Sequence, residues 1–141
     1  APSIETPLHA LCLTLGDATF VGHTHPTPVN AILCAGDARE AFLGSIFPAE
    51  SLVCGKPLFV PYAPPGQPLG QAVSKALRSA IDRRDEPPRA ILLQNHGLVA
   101  LGSTPQEVLD ITAMMVKAAR ILIGTYALGG PHFIDNDGSE R

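Results

Sequence analysis

Apolar positions recur along this chain with two different periods. Ile4, Leu8, Leu11 and Leu15 follow helical spacing up to Gly16, with Ser3 placed to cap the start. Thr19 to His23 reads as a strand that Pro26 stops. Thr27-Pro28 opens a short helix through Val29, Ile32 and Leu33 that ends near Gly36, and Asp37 caps another over Ala38 to Leu43. Leu52-Val53-Cys54 and Leu58-Phe59-Val60 read as short extended pieces around Gly55, followed by the loop Pro61-Tyr62-Ala63-Pro64-Pro65-Gly66. Leu69, Val73, Ala76, Leu77, Ala80 and Ile81 form one face of an amphipathic helix that ends before Pro87-Pro88. Ala90 to Gln94 is the most strand-like run, and Leu98 to Leu101 is a further strand. Thr104-Pro105-Gln106-Glu107 is a capping box with proline at the first helical position. It starts a helix through Val108, Ile111, Met115, Ala119 and Leu122 to Gly129-Gly130, in which Met114-Met115 reads as packing. The tail from Pro131 to Arg141 is polar and reads as loosely held.

Helices alternate with short strands, which predicts an α/β domain with a sheet covered by helices on both faces. At 141 residues the chain is sized for a single domain, 1–141. A hydrophobic fraction of 45% against 16% charged residues fits a folded core. The net charge of -3 and the lack of a basic stripe argue against a nucleic-acid partner. Lys117 and Arg120 interrupt the apolar run near Ile121, so no membrane span is predicted. Cys12, Cys34 and Cys54 are an odd set without C-x-x-C spacing, which fits a reducing cytoplasm better than a disulfide framework. The first residues carry no signal-peptide pattern. The chain starts without Met at the edge of a helix, and its strands are few for a complete sheet. Both features point to a missing N-terminal portion.

The chemistry concentrates at two strand ends, His23-Thr24-His25-Pro26 and Asn95-His96-Gly97, which hold three of the 5 histidines. Side chains two apart on a strand point to the same side, so His23 and His25 can approach one ion while Thr24 faces away. His96 can supply a third imidazole, with Gly97 leaving room for a tight bend. Three histidines on one divalent metal leave a coordination position open for chemistry. The plainer alternative is three hydrogen-bonded histidines of no special role, since H-x-H alone is a weak metal signal.

Four pieces, taken in order, resemble the class II aldolase/adducin family, which includes fuculose-phosphate aldolase. Ser3-Ile4-Glu5-Thr6-Pro7-Leu8-His9 resembles its S-x-E-x-x-x-H, and Val21-Gly22-His23-Thr24-His25-Pro26 its H-x-H. Pro61 to Gly66 resembles its P-Y-x-x-x-G loop, and Leu93-Gln94-Asn95-His96-Gly97 its L-x-N-H-G. The resemblance implies a three-layer α/β/α sandwich and a divalent cation, most often zinc with Mn2+ or Co2+ as alternatives, on His23, His25 and His96. It implies that Glu5 sits beside the metal and shuttles a proton. It further implies that Tyr62 reaches the active site of a neighbouring subunit in a homotetramer. The expected activity is a lyase that cleaves or forms a C–C bond in a small hydroxy-carbonyl, sugar or sugar-phosphate-like substrate through a metal-stabilised enediolate. An epimerase or decarboxylase of the same family, and a non-catalytic adducin-like assembly module, stand as alternatives. Glu5 is also explained as a helix-start carboxylate, Tyr62 as a loop aromatic among prolines, and His9 as a structural neighbour one helical turn after Glu5. The position after Ser3 is Ile4 where phosphosugar aldolases carry a second serine, and isoleucine cannot donate to a phosphate, so a non-phosphorylated substrate stays open.

Overall fold

The computed structural model describes residues 2–15 and 17–134. Its elements, in chain order, are α1 (Thr6–Leu15), β1 (Phe20–Thr24), α2 (Thr27–Leu33), α3 (Ala38–Ala41) and α4 (Pro48–Cys54). They are followed by β2 (Leu58–Val60), α5 (Gln67–Asp82), β3 (Ala90–Leu93), β4 (Gly97–Gly102) and α6 (Pro105–Thr125), with a 3-10 turn over Tyr126–Leu128. The strands form one four-stranded sheet in the order β1-β4-β3-β2.

The burial of each strand follows its place in that order. β3 and β4 are buried along their whole length, as central strands covered on both faces must be. β2 runs parallel to β3 because the long helix α5 carries the chain back between them. β3 and β4 are antiparallel and joined by a short bend at Gln94–His96, while β1 pairs antiparallel with β4 in the register His23↔Val99 and Thr24↔Leu98.

The period-two alternation divides the core in two. Ile91, Leu93, Val99 and Leu101 face α1 and α5, where Leu8, Cys12, Leu69, Val73 and Leu77 are buried. Ala90, Leu92, Leu98 and Ala100 face the other side, against Val29, Ile32 and Leu33 of α2 and Ile111, Met115, Ala119 and Leu122 of α6. The result is the expected α/β/α sandwich, with Met115 packed in the core. The α6 cap forms as the sequence predicts: the Glu107 N–H donates to Thr104 Oγ1 at 3.1 Å. The Glu107 carboxylate takes the Ser103 N–H, rather than that of Thr104 itself.

One element differs from expectation. Leu52-Val53-Cys54 is not extended but ends α4, which buries Cys54 against the α6 side of the core. The helix-start signals were present, with Pro48 in the first turn and Glu50 behind it. Three apolar residues in a row hid them. The described start of the tail is held rather than loose, since Phe133 packs on the core and Ile134 forms a bridge with Ser45; 135–141 lie outside the described residues. All three cysteines are free thiols. Burial pushes the Cys12 thiol up to about 11 and that of Cys54 to about 12, so neither is poised to react. Among the described residues, no helix is long and apolar enough to cross a membrane.

Candidate metal centre

His23 lies on the sheet face covered by α1, with Val21 two residues before it packed against that same layer. Glu5 occupies the turn that leads into α1, where its own N–H meets Ser3 Oγ at 3.3 Å and the Thr6 N–H donates to the Ser3 carbonyl. The first helix therefore brings a carboxylate to the end of the first strand. His25 follows just beyond that strand. His96 arrives from the β3–β4 bend, in which Asn95 takes the left-handed conformation at φ 55 that asparagine tolerates better than most residues.

The four side chains converge, with one ligand atom from each lying within 4.8 Å of all the others. His23 Nε2 is 3.2 Å from His25 Nε2, 3.2 Å from His96 Nε2 and 3.1 Å from Glu5 Oε1. His96 Nε2 is 3.3 Å from the same carboxylate oxygen. Ligand atoms about 2.0–2.1 Å from a tetrahedral zinc ion stand roughly 3.3 Å apart, so these separations fit one ion among them. Proton accounting agrees. The Leu98 carbonyl, 3.0 Å from His23 Nδ1, can only accept, so that nitrogen carries the proton and a neutral His23 aims a lone pair from Nε2. That lone pair faces a carboxylate oxygen and two further imidazole nitrogens. A cation at the centre satisfies every one of them together. Partial burial pushes the Glu5 carboxyl up, but the positive charge that His23 and His96 carry when protonated, and the hydrogen bonds from both rings, outweigh that in the metal-free chain. Glu5 accordingly titrates below its ordinary value.

Gly97 has a sharper role than easing a bend, because it is Asn95 that takes the left-handed turn. A Cβ on Gly97 would stand 2.6 Å from His25 Cδ2 and 2.6 Å from the Thr24 carbonyl oxygen. Only glycine lets the two histidine segments come this close.

Tyr62 is not part of this cluster. It is exposed on the loop after β2, which is tied to the site's surroundings by the Tyr62 N–H donating to Gln94 Oε1 at 3.2 Å. His9 lies one layer out, its ring edge-on to His23 at 6.2 Å between centroids. His132 is exposed beyond the last turn. Asn30 on α2 escapes a motif reading. Its Nδ2 donates to the His96 carbonyl at 2.9 Å, and only the folded position of α2 shows it. A cavity of about 980 Å³ opens at the opposite end of the sheet, around Asp17, Arg89 and Leu101, and touches none of these residues.

Comparison with known proteins places this geometry in a family. The sequence profile of the Class II Aldolase and Adducin N-terminal domain matches residues 1–123. The uncharacterized oxidoreductase YuxG of Bacillus subtilis is 28% identical over 118 residues, which cover 84% of this chain and 15% of that protein. Among solved structures, YgbL of Klebsiella pneumoniae, a candidate aldolase/epimerase/decarboxylase, matches with a TM-score of 0.76 at 23% identity, over 97% of this chain and 63% of its own. An L-fuculose 1-phosphate aldolase matches with a TM-score of 0.76 at 23% identity, over 96% of this chain and 59% of its own. At that identity the two structures bear on the fold alone, and this chain spans less than two thirds of each. The profile match extends over most of the sequence, and the chain belongs to the class II aldolase and adducin N-terminal domain family.

Proposed function

We propose that residues 1–141 act as one class II aldolase-type domain whose His23, His25 and His96 hold a divalent cation, most readily zinc. The proposed reaction is aldol-type cleavage or formation of a C–C bond in a small hydroxy-carbonyl compound. The observation that carries this reading is the set of 3.1–3.3 Å separations among three imidazole nitrogens and one carboxylate oxygen. Bound there, the cation supplies a Lewis acid for negative charge developing on substrate oxygens.

The chain's own residues account for the rest. The histidines contribute no charge, so the cation's full charge faces the substrate. Glu5 stands beside the same centre and is half-exposed in a turn, so its carboxylate would be within reach of a substrate held there. In the bond-forming direction the ionised Glu5 carboxylate takes a proton from the carbon beside the substrate carbonyl. The electron pair of that C–H bond forms the new C–C bond to an aldehyde carbon, and the aldehyde oxygen, as its C=O pair moves onto it, takes a proton; cleavage is the reverse of each step. We assign the donation of the oxygen's proton to Tyr62 of the partner subunit in a homotetramer, its phenol left as phenolate, because the exposed phenol of each chain sits outside its own cluster. Ile4, exposed and beside Glu5, offers an apolar contact and no hydrogen-bond donor, which favours a substrate without a phosphate at that position.

The test is a screen of small hydroxy-keto compounds, with and without phosphate, assayed for aldehyde release and for CO2 release. Glu5→Gln is expected to lower the rate by roughly 10²–10⁴-fold, the usual worth of general acid–base catalysis. Full activity in that variant removes Glu5 from the proton transfer. Release of CO2 in place of aldehyde assigns the same residues to a decarboxylase. Turnover of no substrate by a zinc-loaded protein favours the assembly-module reading.

A further inference from the structure

The loop that carries Tyr62 offers few ways to be held. Pro61, Pro64 and Pro65 have no N–H to donate, so from residue 61 to residue 65 only Tyr62 and Ala63 can anchor the backbone through a donor. Tyr62 does so, its N–H donating to the Gln94 side-chain oxygen Oε1 at 3.2 Å.

Gln94 is itself fixed. Its own N–H donates to the Val60 carbonyl at 3.0 Å, which carries the β2–β3 pairing one step beyond Val60 and Leu93. The bend begins there. The Asn95 N–H donates to the Leu33 carbonyl at 3.1 Å and the His96 N–H to the Leu93 carbonyl at 3.0 Å. Gln94 is thus a short link, with its backbone in the segment that bears His96 and its side chain on the peptide of Tyr62.

The far end of the loop meets the other arm of the metal centre. A Cβ on Gly66 would stand 3.2 Å from Ile4 Cγ1, so the Ile4 side chain lies close over the loop's end, next to Glu5. Between these two supports Tyr62 is 57% exposed. With so little of the ring packed, its direction is set by the backbone it leaves, and Gln94 holds that backbone.

We propose that Gln94 is the positioning residue for Tyr62, its Oε1 holding the Tyr62 peptide so that the phenol projects from a fixed point beside the His96 bend toward a substrate on the partner subunit. This rests on the role assigned to Tyr62 above. It adds a chemical requirement: position 94 needs an acceptor oxygen at the reach of glutamine. Glutamate satisfies it and alanine does not.

Two measurements on the full chain test it. The first is amide hydrogen exchange at Tyr62. Gln94→Ala is expected to speed it about 5-fold, the equivalent of one ordinary hydrogen bond, and Gln94→Glu to leave it near wild type. The second is steady-state kinetics on the hydroxy-keto compound that the screen returns, with zinc affinity measured alongside. Gln94→Ala should lower kcat about 10–100-fold with KM little changed, as lost orientation does, and should keep its zinc affinity. Gln94→Glu should recover most of the rate. Adding Gln94→Ala to Tyr62→Phe should cost little beyond Tyr62→Phe alone, because both changes remove the same contribution.

Unchanged exchange in Gln94→Ala overturns the proposal, as does a kcat equal to wild type. Zinc affinity that falls in step with the rate makes Gln94 a support of the His96 bend and also overturns it. So does a double variant in which the two losses multiply. Should Gln94→Ala fail to fold by circular dichroism, Gln94→Met, close in length and without the oxygen, takes its place. Full activity in Tyr62→Phe, or a zinc-loaded wild type that turns over none of the compounds, defeats the Tyr62 reading itself. The positioning role falls with it, even where exchange shows the hydrogen bond in place.

Discussion

Replacing Gly97 by alanine is expected to damage the metal centre without touching a ligand. The added methyl would lie 2.6 Å from the Thr24 carbonyl oxygen and 2.6 Å from His25 Cδ2. Relaxed contacts need roughly 3.5–4.0 Å, so about 1 Å of displacement must be found. The His25 ring can give way only by leaving its place beside His23 Nε2. The Thr24 carbonyl can give way only by distorting β1, because Thr24 pairs with Leu98 while Gly97 itself pairs with Leu93 on the other side. Overpacking of this kind costs about 1–3 kcal/mol. The assays are urea unfolding of the metal-free chain and zinc affinity by chelator competition. Gly97→Ala should lose stability in that range and at least tenfold in zinc affinity. Gly22→Ala is the control. Its methyl would meet Val108 Cγ1 on the α6 side of the sheet, away from the histidines. That variant should lose stability yet keep its zinc affinity. A Gly97→Ala protein with wild-type affinity and stability would refute the argument that close approach at this glycine builds the site.

Further expectations follow from other parts of the molecule. Burial raises the Glu50 carboxyl above its ordinary value, and the Ile46 N–H on its Oε2 only partly offsets this. A raised folded pKa means that the Glu50 contribution is fully present below the unfolded value, near 4.5, and is lost as pH rises through the folded value. Glu50→Gln keeps an acceptor for Ile46 and removes the buried charge. Its stability relative to wild type should therefore be higher at pH 7.5 than at pH 4.5, checked by denaturant unfolding at both; a pH-independent difference would contradict the assignment. Thr104→Ala removes the acceptor for the Glu107 N–H and should cost about 1 kcal/mol of stability, seen as a lower urea midpoint at unchanged slope. Leu92→Ala opens a void in a fully buried central strand and should cost about 2–5 kcal/mol by the same measurement.

Much of this architecture was legible because local and global signals agree. The run Ala90 to Leu93 is apolar throughout and occupies a strand buried on both faces. The capping box at Thr104 starts its helix where it should. Where the signals conflict, the reading failed. Leu52-Val53-Cys54 looks extended in isolation, yet Pro48 and Glu50 commit the segment to a helix before those residues are reached. The candidate site was legible through its residue types, since two histidines at alternate positions and a third at a bend are visible in the sequence. Its supporting contacts were not. Asn30 and the Leu98 carbonyl act across 66 and 75 residues of chain, and no spacing rule connects them to a histidine. The crowding at Gly97 likewise depends on where β1 ends relative to β4, which only the register defines.

The central claim is that His23, His25 and His96 share one divalent cation, with Glu5 at its edge. X-ray absorption spectroscopy of the full chain loaded with one equivalent of zinc, alongside His23→Ala, tests it most directly. The wild type should show a four-coordinate ion with imidazole scattering and nitrogen or oxygen neighbours at about 2.0–2.1 Å. His23→Ala should lose stoichiometric zinc. A wild type that retains no zinc after gel filtration, or a His23→Ala protein with the same zinc spectrum and content as wild type, would contradict the account.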